Sequence, residues 1–235
     1  MPADITSPAL GVVAGSGMEL RDIFDVITAE IPFTQFPQLP PTTVDGHQGR
    51  FLDGWIGDQR AILQQGRFHL YEGLSMAEVV APVKIMRAMG CQEFVFCNAA
   101  GGLFPILEPG ELVSITQFEP WYCTRLPSQK TVHCKLMVEG CPLAGSYLWM
   151  SGPSYETRAE IRALQKIGHL VVGMSTLPEI RAAQRLGMPC AALSCVTNVC
   201  GDATPLSHTH VLEVARESSA ALCRLLRAHA QTFGQ

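Results

Sequence analysis

Short apolar segments alternate with helical stretches along this 235-residue sequence, and this order limits its possible folds more than any other feature. Seven such segments, bounded by glycine, asparagine or proline, predict buried strands. They cover residues 10–14, 61–64, 93–97, 112–115, 147–150, 170–172 and 190–196. Apolar residues at helical spacing predict helices at residues 76–89, 157–167, 178–186 and 208–232, the last with Ser207 as its N-cap. The alternation predicts an α/β fold with a mainly parallel sheet and helices on both faces.

Composition and charge narrow the class of protein. The 47% hydrophobic content is sufficient for one core, so we expect a single domain over residues 1–235. The net charge is −4, and the sequence contains no run of five like charges and no stretch of 18 apolar residues, which argues against nucleic-acid and membrane partners. Nine cysteines without a Cys-x-x-Cys pair, and an N-terminus unlike a secretory signal, predict a reduced, cytoplasmic protein.

Two stretches do not fit regular structure. Four prolines between residues 32 and 44 predict a loop. Residues 118–143 contain three prolines and three cysteines, and we expect them to be irregular.

The first glycine-marked segment, Ala14-Gly15-Ser16-Gly17, follows the first predicted strand. Its small residues allow the backbone to approach a ligand closely, and Ser16 adds a hydroxyl. The segment lacks the third glycine of a dinucleotide fingerprint and the Gly-Lys-Ser/Thr of a P-loop, so neither motif is present. A plain strand-to-helix turn is the alternative.

Residues 65–73, with the sequence Gln-Gly-Arg-Phe-His-Leu-Tyr-Glu-Gly, are more informative. An arginine fork beside an imidazole suits an anion the size of phosphate. If the segment is extended, Arg67, His69 and Tyr71 share one face. The alternative is a surface strand in which Arg67 and Glu72 are solvated.

Four further polar segments follow predicted strands, at residues 98–102, 151–157, 172–176 and 195–198. The small residues of the first could form an anion-binding nest, or simply a tight turn. In open α/β sheets, ligands bind at the carboxyl ends of strands. We therefore expect these segments to build one pocket.

Taken in order, the segments resemble the purine nucleoside phosphorylases, in particular the trimeric group that acts on 6-oxopurine nucleosides. The resemblance runs from about residue 11 to about residue 215. It rests on residues 15–17, 46–50, 65–73, 98–102, 152–160, 164–179 and 197–198. It implies that the α/β domain has a central mixed, largely parallel sheet, curled into a distorted barrel and flanked by helices. It also implies a homotrimer.

The resemblance further implies the site residues. Phosphate, the co-substrate, would be held by Ser16, His47, Arg67, His69, the Ala99 backbone N–H and Ser175. Tyr71 and Met174 would line the ribose, His208 would meet its 5′-hydroxyl, and Tyr155 would pack on the purine. His69, Glu156 and Asn198 would be the catalytic residues. A dianion needs several convergent donors and a fixed cation, so the physical interpretation agrees.

Base recognition by Glu156 and Asn198 can be argued from their chemistry. A carboxylate accepts from the N1–H that a 6-oxopurine has and adenine lacks. The Asn198 amide can donate to O6 and accept from a protonated N7, where charge develops as the glycosidic bond breaks. Methylthioadenosine phosphorylases resemble this family but typically have aspartate at this position. Inosine and guanosine are therefore the predicted substrates.

The implied reaction is purine salvage by phosphorolysis. Phosphate attacks C1′ of an oxocarbenium-like transition state from the face opposite the purine, giving free base and (deoxy)ribose 1-phosphate. Neither a covalent intermediate, a metal nor an organic cofactor is expected.

The sequence departs from the family in residues 116–147, where the usual segment is longer and opens with an Asp-His-Ile-Asn-like motif. In the trimeric enzymes this region packs on neighbours and lends an aromatic residue to the adjacent sugar site. Phe118, Trp121 and Tyr122 are candidates to replace that residue.

Other interpretations are a methylthioadenosine phosphorylase, a hydrolytic nucleosidase and a non-catalytic nucleoside-binding relative. Ser16, Arg67, His69 and Ser175 favour phosphate over water as the acceptor. Cys97 is interpreted as a packed core thiol, and His208 with His210 as a metal site only with further ligands.

Overall fold

The computed structural model describes residues 7–42, 48–121, 126, 128–201 and 207–233. Within these ranges the chain forms ten strands and six α-helices. The strands are β1 (Ala9–Ala14), β2 (Val26–Pro32), β3 (Arg50–Ile56), β4 (Gln59–Gln65), β5 (Cys91–Gly102), β6 (Leu112–Pro120), β7 (Val132–His133), β8 (Leu143–Trp149), β9 (Val171–Gly173) and β10 (Cys190–Val199). The helices are α1 (Met76–Val79), α2 (Ala81–Ala88), α3 (Arg158–Ile167), α4 (Leu177–Arg185), α5 (His208–Glu217) and α6 (Ser219–Ala230).

The strands form one mixed sheet that closes partly on itself. The order is β10-β6-β8-β9-β5-β1-β4-β3-β2, with β7 paired to β6. An additional parallel pairing of β10 with β5 joins the ends of the first five strands in this order, so they form a closed ring. Strands β3 and β2 extend the open part by antiparallel pairing. The predicted α/β domain with a mixed, partly closed sheet flanked by helices is confirmed.

The core lies on both faces of this sheet because successive strand residues alternate between faces. In β1, Val13 packs with Phe94 and Phe96 on the face covered by α2 and α4. Val12 packs on the other face with Leu222 and Leu226 of α6. Helices therefore cover both faces, as the alternation in the sequence predicted. Within the described residues, no helix is long and apolar enough to cross a membrane.

All seven predicted strands are present, but the sequence missed three others. Strand β2 is mostly exposed, so it has no buried run to detect. Strand β3 contains Asp53, which is buried because Arg60 of β4 pairs with it at 2.6 Å. Charged residues in a buried strand disguise it. The third, β7, has only two residues.

The stretches predicted to be irregular are partly ordered. Strand β6 continues to Pro120, β7 lies at Val132–His133 and β8 begins at Leu143, so the prediction for residues 118–143 was wrong at these three places. The described part of the proline-rich loop contains a short 3₁₀ helix at Phe33–Gln35, and residues 43–44 lie outside the described ranges.

The predicted C-terminal helix is two helices, α5 and α6, which meet at Ser218. The Ser218 hydroxyl donates to the Val214 carbonyl at 2.8 Å, and the Ser219 hydroxyl donates to the Ala215 carbonyl at 3.1 Å. Such hydrogen bonds to the preceding turn bend helices. The predicted N-cap is confirmed, since the Ser207 hydroxyl accepts from the His210 N–H at 3.2 Å.

The polar segments at the ends of β1, β4, β5 and β10 meet as the sequence suggested, because these four strands pair in parallel and their carboxyl ends share one edge. The segments after β8 and β9 reach the pocket differently. Strands β8 and β9 are parallel to each other, but β9 is antiparallel to β5. Their carboxyl ends therefore do not share an edge with β5 by simple parallel order. A short pairing, Gly101 with Val172 and Gly102 with Val171, brings the end of β9 against the end of β5.

Candidate active site

Every predicted site residue that the structure describes lines one pocket. These residues are Ser16, Arg67, His69, Tyr71, Ala99, Tyr155, Glu156, Met174, Ser175, Asn198 and His208. His47 lies outside the described residues. The pocket collects segments that follow β1, β4, β8 and β9 together with the ends of β5 and β10. The roles assigned to these residues stay predictions.

Arg67 is fixed by contacts with the protein itself. Its side chain is 1% exposed, and Nε lies 3.0 Å from Glu179 Oε2. Nη1 donates to the Cys97 carbonyl at 3.0 Å and to Ser175 Oγ at 3.4 Å. The alternative of a solvated arginine on a surface strand is wrong, because the side chain is buried. The ion pair with Glu179 makes this burial tolerable.

His69 is oriented by Glu72, three residues further along. Glu72 Oε1 lies 3.0 Å from His69 Nδ1 and also accepts from the His69 backbone N–H at 2.7 Å. Such a carboxylate favours the tautomer with a proton on Nδ1. The Glu72 side chain is itself 7% exposed, so the alternative of a solvated Glu72 is also wrong.

Tyr71 reaches the pocket from a 3₁₀ helix, Leu70–Glu72, and not from an extended strand. The predicted alternation therefore fails after His69, where the chain turns. The His69 and Tyr71 rings stack with centroids 4.6 Å apart. Burial raises the pKa of Tyr71 to about 12, so its phenol is neutral at physiological pH and can donate or accept.

Ser175 is placed by an unusual backbone conformation at the next residue. Thr176 has φ +76°, a region that residues other than glycine rarely adopt. Glu179 Oε2 accepts from the Thr176 N–H at 3.1 Å, and Asn98 Nδ2 donates to Thr176 Oγ1 at 3.1 Å. Ser194 Oγ donates in turn to Asn98 Oδ1 at 2.8 Å. This buried network over-determines the strained residue, as is typical of functional sites.

Tyr147 hydrogen-bonds to the same segment, at Ser175, from within the protein core. Its hydroxyl accepts from the Ser175 N–H at 3.4 Å, and its ring is fully buried. Gly173 leaves room for it, since a Cβ at this position would overlap the Tyr147 hydroxyl. The absence of a side chain at residue 173 is therefore a packing requirement.

Ala99 lies within a strand and not in a turn or a nest. Strand β5 continues through Gly102, and Ala99 pairs with Cys195 of β10. Both interpretations of residues 98–102 from sequence, a nest and a tight turn, were wrong on this point. The ladder to β10 simply extends further than the apolar run indicated.

Glu156 and Asn198 lie in the same pocket as the buried arginine. Partial burial raises the pKa of Glu156 above its ordinary value, and the neighbouring Glu160 charge adds to the increase. Asn198 Oδ1 accepts from Thr197 Oγ1 at 3.2 Å, and Nδ2 lies 3.9 Å from Cys200 Sγ. Tyr155 is 43% exposed, so the pocket is open beside Glu156.

Of the suggested replacements for the aromatic residue at the sugar, Phe118 and Trp121 do not line the pocket of their own chain. Phe118 is fully buried and packs against the Tyr147 ring at 4.7 Å, so it also cannot extend to a neighbouring subunit. Trp121 packs beside Leu148 and Leu164 and does not line the pocket. Tyr122 lies outside the described residues.

Cys97, His208 and His210, which the sequence analysis also considered, lie within the described residues. Cys97 is fully buried, and burial raises the pKa of its thiol to about 12, which fits a core thiol. Over the part of the chain that the structure describes, His208 and His210 do not belong to any group of three or more possible metal ligands.

Sequence reasoning missed Glu179 as part of the site. Its signal was present, because Thr176 and Glu179 form the spacing of a capping box at the start of α4. Nothing in that spacing shows that the carboxylate also pairs with an arginine 112 residues away. Cys200 and Val211, which also line the pocket, carried no comparable signal.

Comparisons with known proteins identify the family to which the chain belongs. The family model described as "Phosphorylase superfamily" matches residues 9–131 and 141–230. The interruption, residues 132–140, contains β7 and ends before β8, inside the segment that is short in this sequence. Purine nucleoside phosphorylase 1 of Geobacillus stearothermophilus is 32% identical over 248 residues, covering 95% of this chain and 90% of that protein.

Solved structures of Schistosoma mansoni purine nucleoside phosphorylase have the same fold. The complex with inosine has a TM-score of 0.82 at 27% identity and covers 97% of this chain and 91% of that one. The complex with adenosine has a TM-score of 0.79 at 27% identity, with coverages of 97% and 92%. The chain is a member of the phosphorylase superfamily and belongs to its purine nucleoside phosphorylases, a family of pentosyltransferase enzymes.

Proposed function

We propose that the protein phosphorolyses 6-oxopurine nucleosides, inosine and guanosine, to the free base and (deoxy)ribose 1-phosphate. One observation carries the proposal: a buried, pre-oriented arginine and the pair Glu156 and Asn198 line the same pocket. The arginine provides a fixed cation for phosphate. The carboxylate and the amide provide the hydrogen-bonding pattern for a 6-oxopurine.

Phosphate binds to Arg67 together with the Ser16 and Ser175 hydroxyls, His69 and the Ala99 N–H. The Arg67 and Ser175 side chains already lie 3.4 Å apart, within reach of one anion. Fixing donors before the ligand arrives reduces the entropy lost on binding. For His69, we propose that the Nδ1–H contact with Glu72 turns Nε2 towards the anion, where Nε2 accepts from the P–OH group of the attacking hydrogen phosphate.

The purine leaves from the side of Glu156 and Asn198. Ionised Glu156 accepts from N1–H, which keeps the base in the orientation where Asn198 Oδ1 meets N7. The Thr197 hydroxyl donates to Asn198 Oδ1 and so helps to fix the amide. As the bond from C1′ to N9 breaks, its electron pair goes to the purine, which takes up a proton from water at N7, and Asn198 Oδ1 accepts from the resulting N7–H. A phosphate oxygen forms the new bond to the positive C1′.

The sugar lies between these two ends, against Tyr71, Met174 and His208. Complexes of a similar Schistosoma enzyme contain inosine and, separately, adenosine. The preference proposed for this chain therefore rests on Glu156 and Asn198.

A homotrimer also belongs to the proposal, and light scattering at several concentrations tests it.

The specificity is tested by initial rates on inosine, guanosine and adenosine at saturating phosphate. We expect kcat/KM for inosine and guanosine to exceed that for adenosine by a large factor. A site that must leave buried polar groups unpaired rejects the wrong analogue strongly. Equal values of kcat/KM for inosine and adenosine would contradict the proposed specificity.

A further inference from the structure

Glu179 is a buried carboxylate that contacts two separate parts of the proposed phosphate site. Its side chain is 2% exposed, beside an arginine that is 1% exposed. Oε1 accepts from Arg67 Nε–H at 3.1 Å. Oε2 accepts from the Thr176 N–H at 3.1 Å and lies 3.0 Å from Arg67 Nε. Each carboxylate oxygen therefore accepts from an N–H group. The two donating residues, Arg67 and Thr176, lie in different segments of the chain.

Through these two contacts, Glu179 holds Arg67 directly and Ser175 by way of Thr176. The Arg67 and Ser175 side chains lie 3.4 Å apart in the pocket, from Arg67 Nη1 to Ser175 Oγ. Thr176 follows Ser175 directly and has φ +76°, so its backbone needs external support to stay in that conformation. The hydrogen bond from Thr176 N–H to Glu179 provides this support.

We propose that Glu179 is a positioning residue for phosphate: it fixes the Arg67 guanidinium and, through the Thr176 N–H, the Ser175 hydroxyl in the arrangement that receives the anion. The inference rests on the proposed function and adds to it a residue that need not touch the substrate. It requires an ionised carboxylate, because only that group presents two acceptor oxygens to two N–H donors.

Two consequences of neutralising Glu179 oppose each other, so the direction of the effect is decisive. Removing a negative charge beside Arg67 would, by Coulomb attraction alone, strengthen phosphate binding. Glutamine would also turn its NH₂ group towards either Arg67 Nε–H or Thr176 N–H, leaving one donor facing another. Positioning predicts weaker phosphate binding, and simple charge neutralisation predicts the opposite.

The test is steady-state kinetics of the Glu179→Gln variant with inosine and phosphate varied independently. We expect the KM for phosphate to rise roughly 10- to 100-fold, the factor by which metal affinity falls when residues that orient metal ligands are replaced. The KM for inosine is expected to stay unchanged. An unchanged or lower KM for phosphate would overturn the inference, and so would an equal rise in both KM values.

Glu78→Gln is the matched control, because Glu78 occupies the same position of a capping box, at the start of α1. Its carboxylate bonds to Ser75, and the kinetics should match the wild type. If Glu179→Gln does not fold, Glu179→Asp keeps the charge but withdraws the carboxylate by one methylene. The same selective rise in the KM for phosphate is then expected, and its absence overturns the inference.

The wild type separates this inference from the function on which it rests. If the wild type cleaves inosine without phosphate, the proposed function fails and the inference fails with it. If the wild type requires phosphate and Glu179→Gln has the same KM for phosphate as the wild type, only the inference fails.

Discussion

Replacing Glu156 by glutamine tests the recognition of the purine. Glutamine keeps the shape of the side chain but replaces the charged acceptor of N1–H by a neutral amide. Hydrogen bonds to charged groups contribute about 1.5–3 kcal/mol, which corresponds to roughly a 10- to 150-fold loss of kcat/KM. Glu156 is only partly buried, and Tyr155 beside it is 43% exposed. Water therefore weakens the interaction, and we expect the lower half of the range, about 10- to 40-fold for inosine.

The pH dependence of the wild type supplies a second signature. Burial raises the pKa of Glu156, so the carboxyl takes up a proton at higher pH than an ordinary glutamate. The ionised form accepts from N1–H more strongly than the protonated form, which has lost its charge and presents an O–H donor. The KM for inosine should therefore rise as the pH falls through this raised pKa, and Glu156→Gln should lack this acid limb.

The assay follows hypoxanthine release at each pH, with the concentration of the phosphate dianion held constant. Glu160→Gln is the control, because Glu160 is the nearby charge that helps to raise the pKa of Glu156. Its kcat/KM at neutral pH should match the wild type, and its acid limb should move to lower pH. An unreduced kcat/KM in Glu156→Gln, with the acid limb still present, would refute this account of base recognition.

Three further substitutions test other parts of the site. Asn198→Asp should shift the kcat/KM ratio towards adenosine, because aspartate accepts from a 6-amino group; an unchanged inosine-to-adenosine ratio would contradict this. Arg67→Ala should raise the KM for phosphate strongly and lower Tm, since it leaves buried Glu179 without its partner at a cost of about 3–5 kcal/mol; unaltered phosphate dependence would place the site elsewhere. Gly173→Ala should lower Tm, because its Cβ would overlap the Tyr147 hydroxyl and overpacking costs about 1–3 kcal/mol; thermal unfolding at wild-type Tm would show that the packing adjusts freely.

The sequence predicted elements whose signal is local. A buried strand such as β1 or β10 is a mostly apolar run bounded by turn residues, and the run itself indicates burial on both faces. Strand β3 escaped because Asp53 is buried with Arg60, a pairing that the sequence does not display. The break at Ser218 escaped because it depends on hydroxyl groups that bond back along the helix.

The site was predictable as a set of segments but not as a geometry. The position of Ser175 depends on the antiparallel contact of β9 with β5 and on the conformation of Thr176. Periodicity contains neither. The environment of Arg67 depends on Glu179, which is distant in sequence and adjacent in space. The residues of the pocket could therefore be named from motifs, while the contacts that orient them required the fold.

The most direct test of the central claim is the product formed from inosine by the wild-type protein. With phosphate present, we predict stoichiometric hypoxanthine and ribose 1-phosphate, the latter detected as a new ³¹P resonance, and no cleavage when phosphate is omitted. Release of hypoxanthine with free ribose, at a rate independent of phosphate, would contradict phosphorolysis.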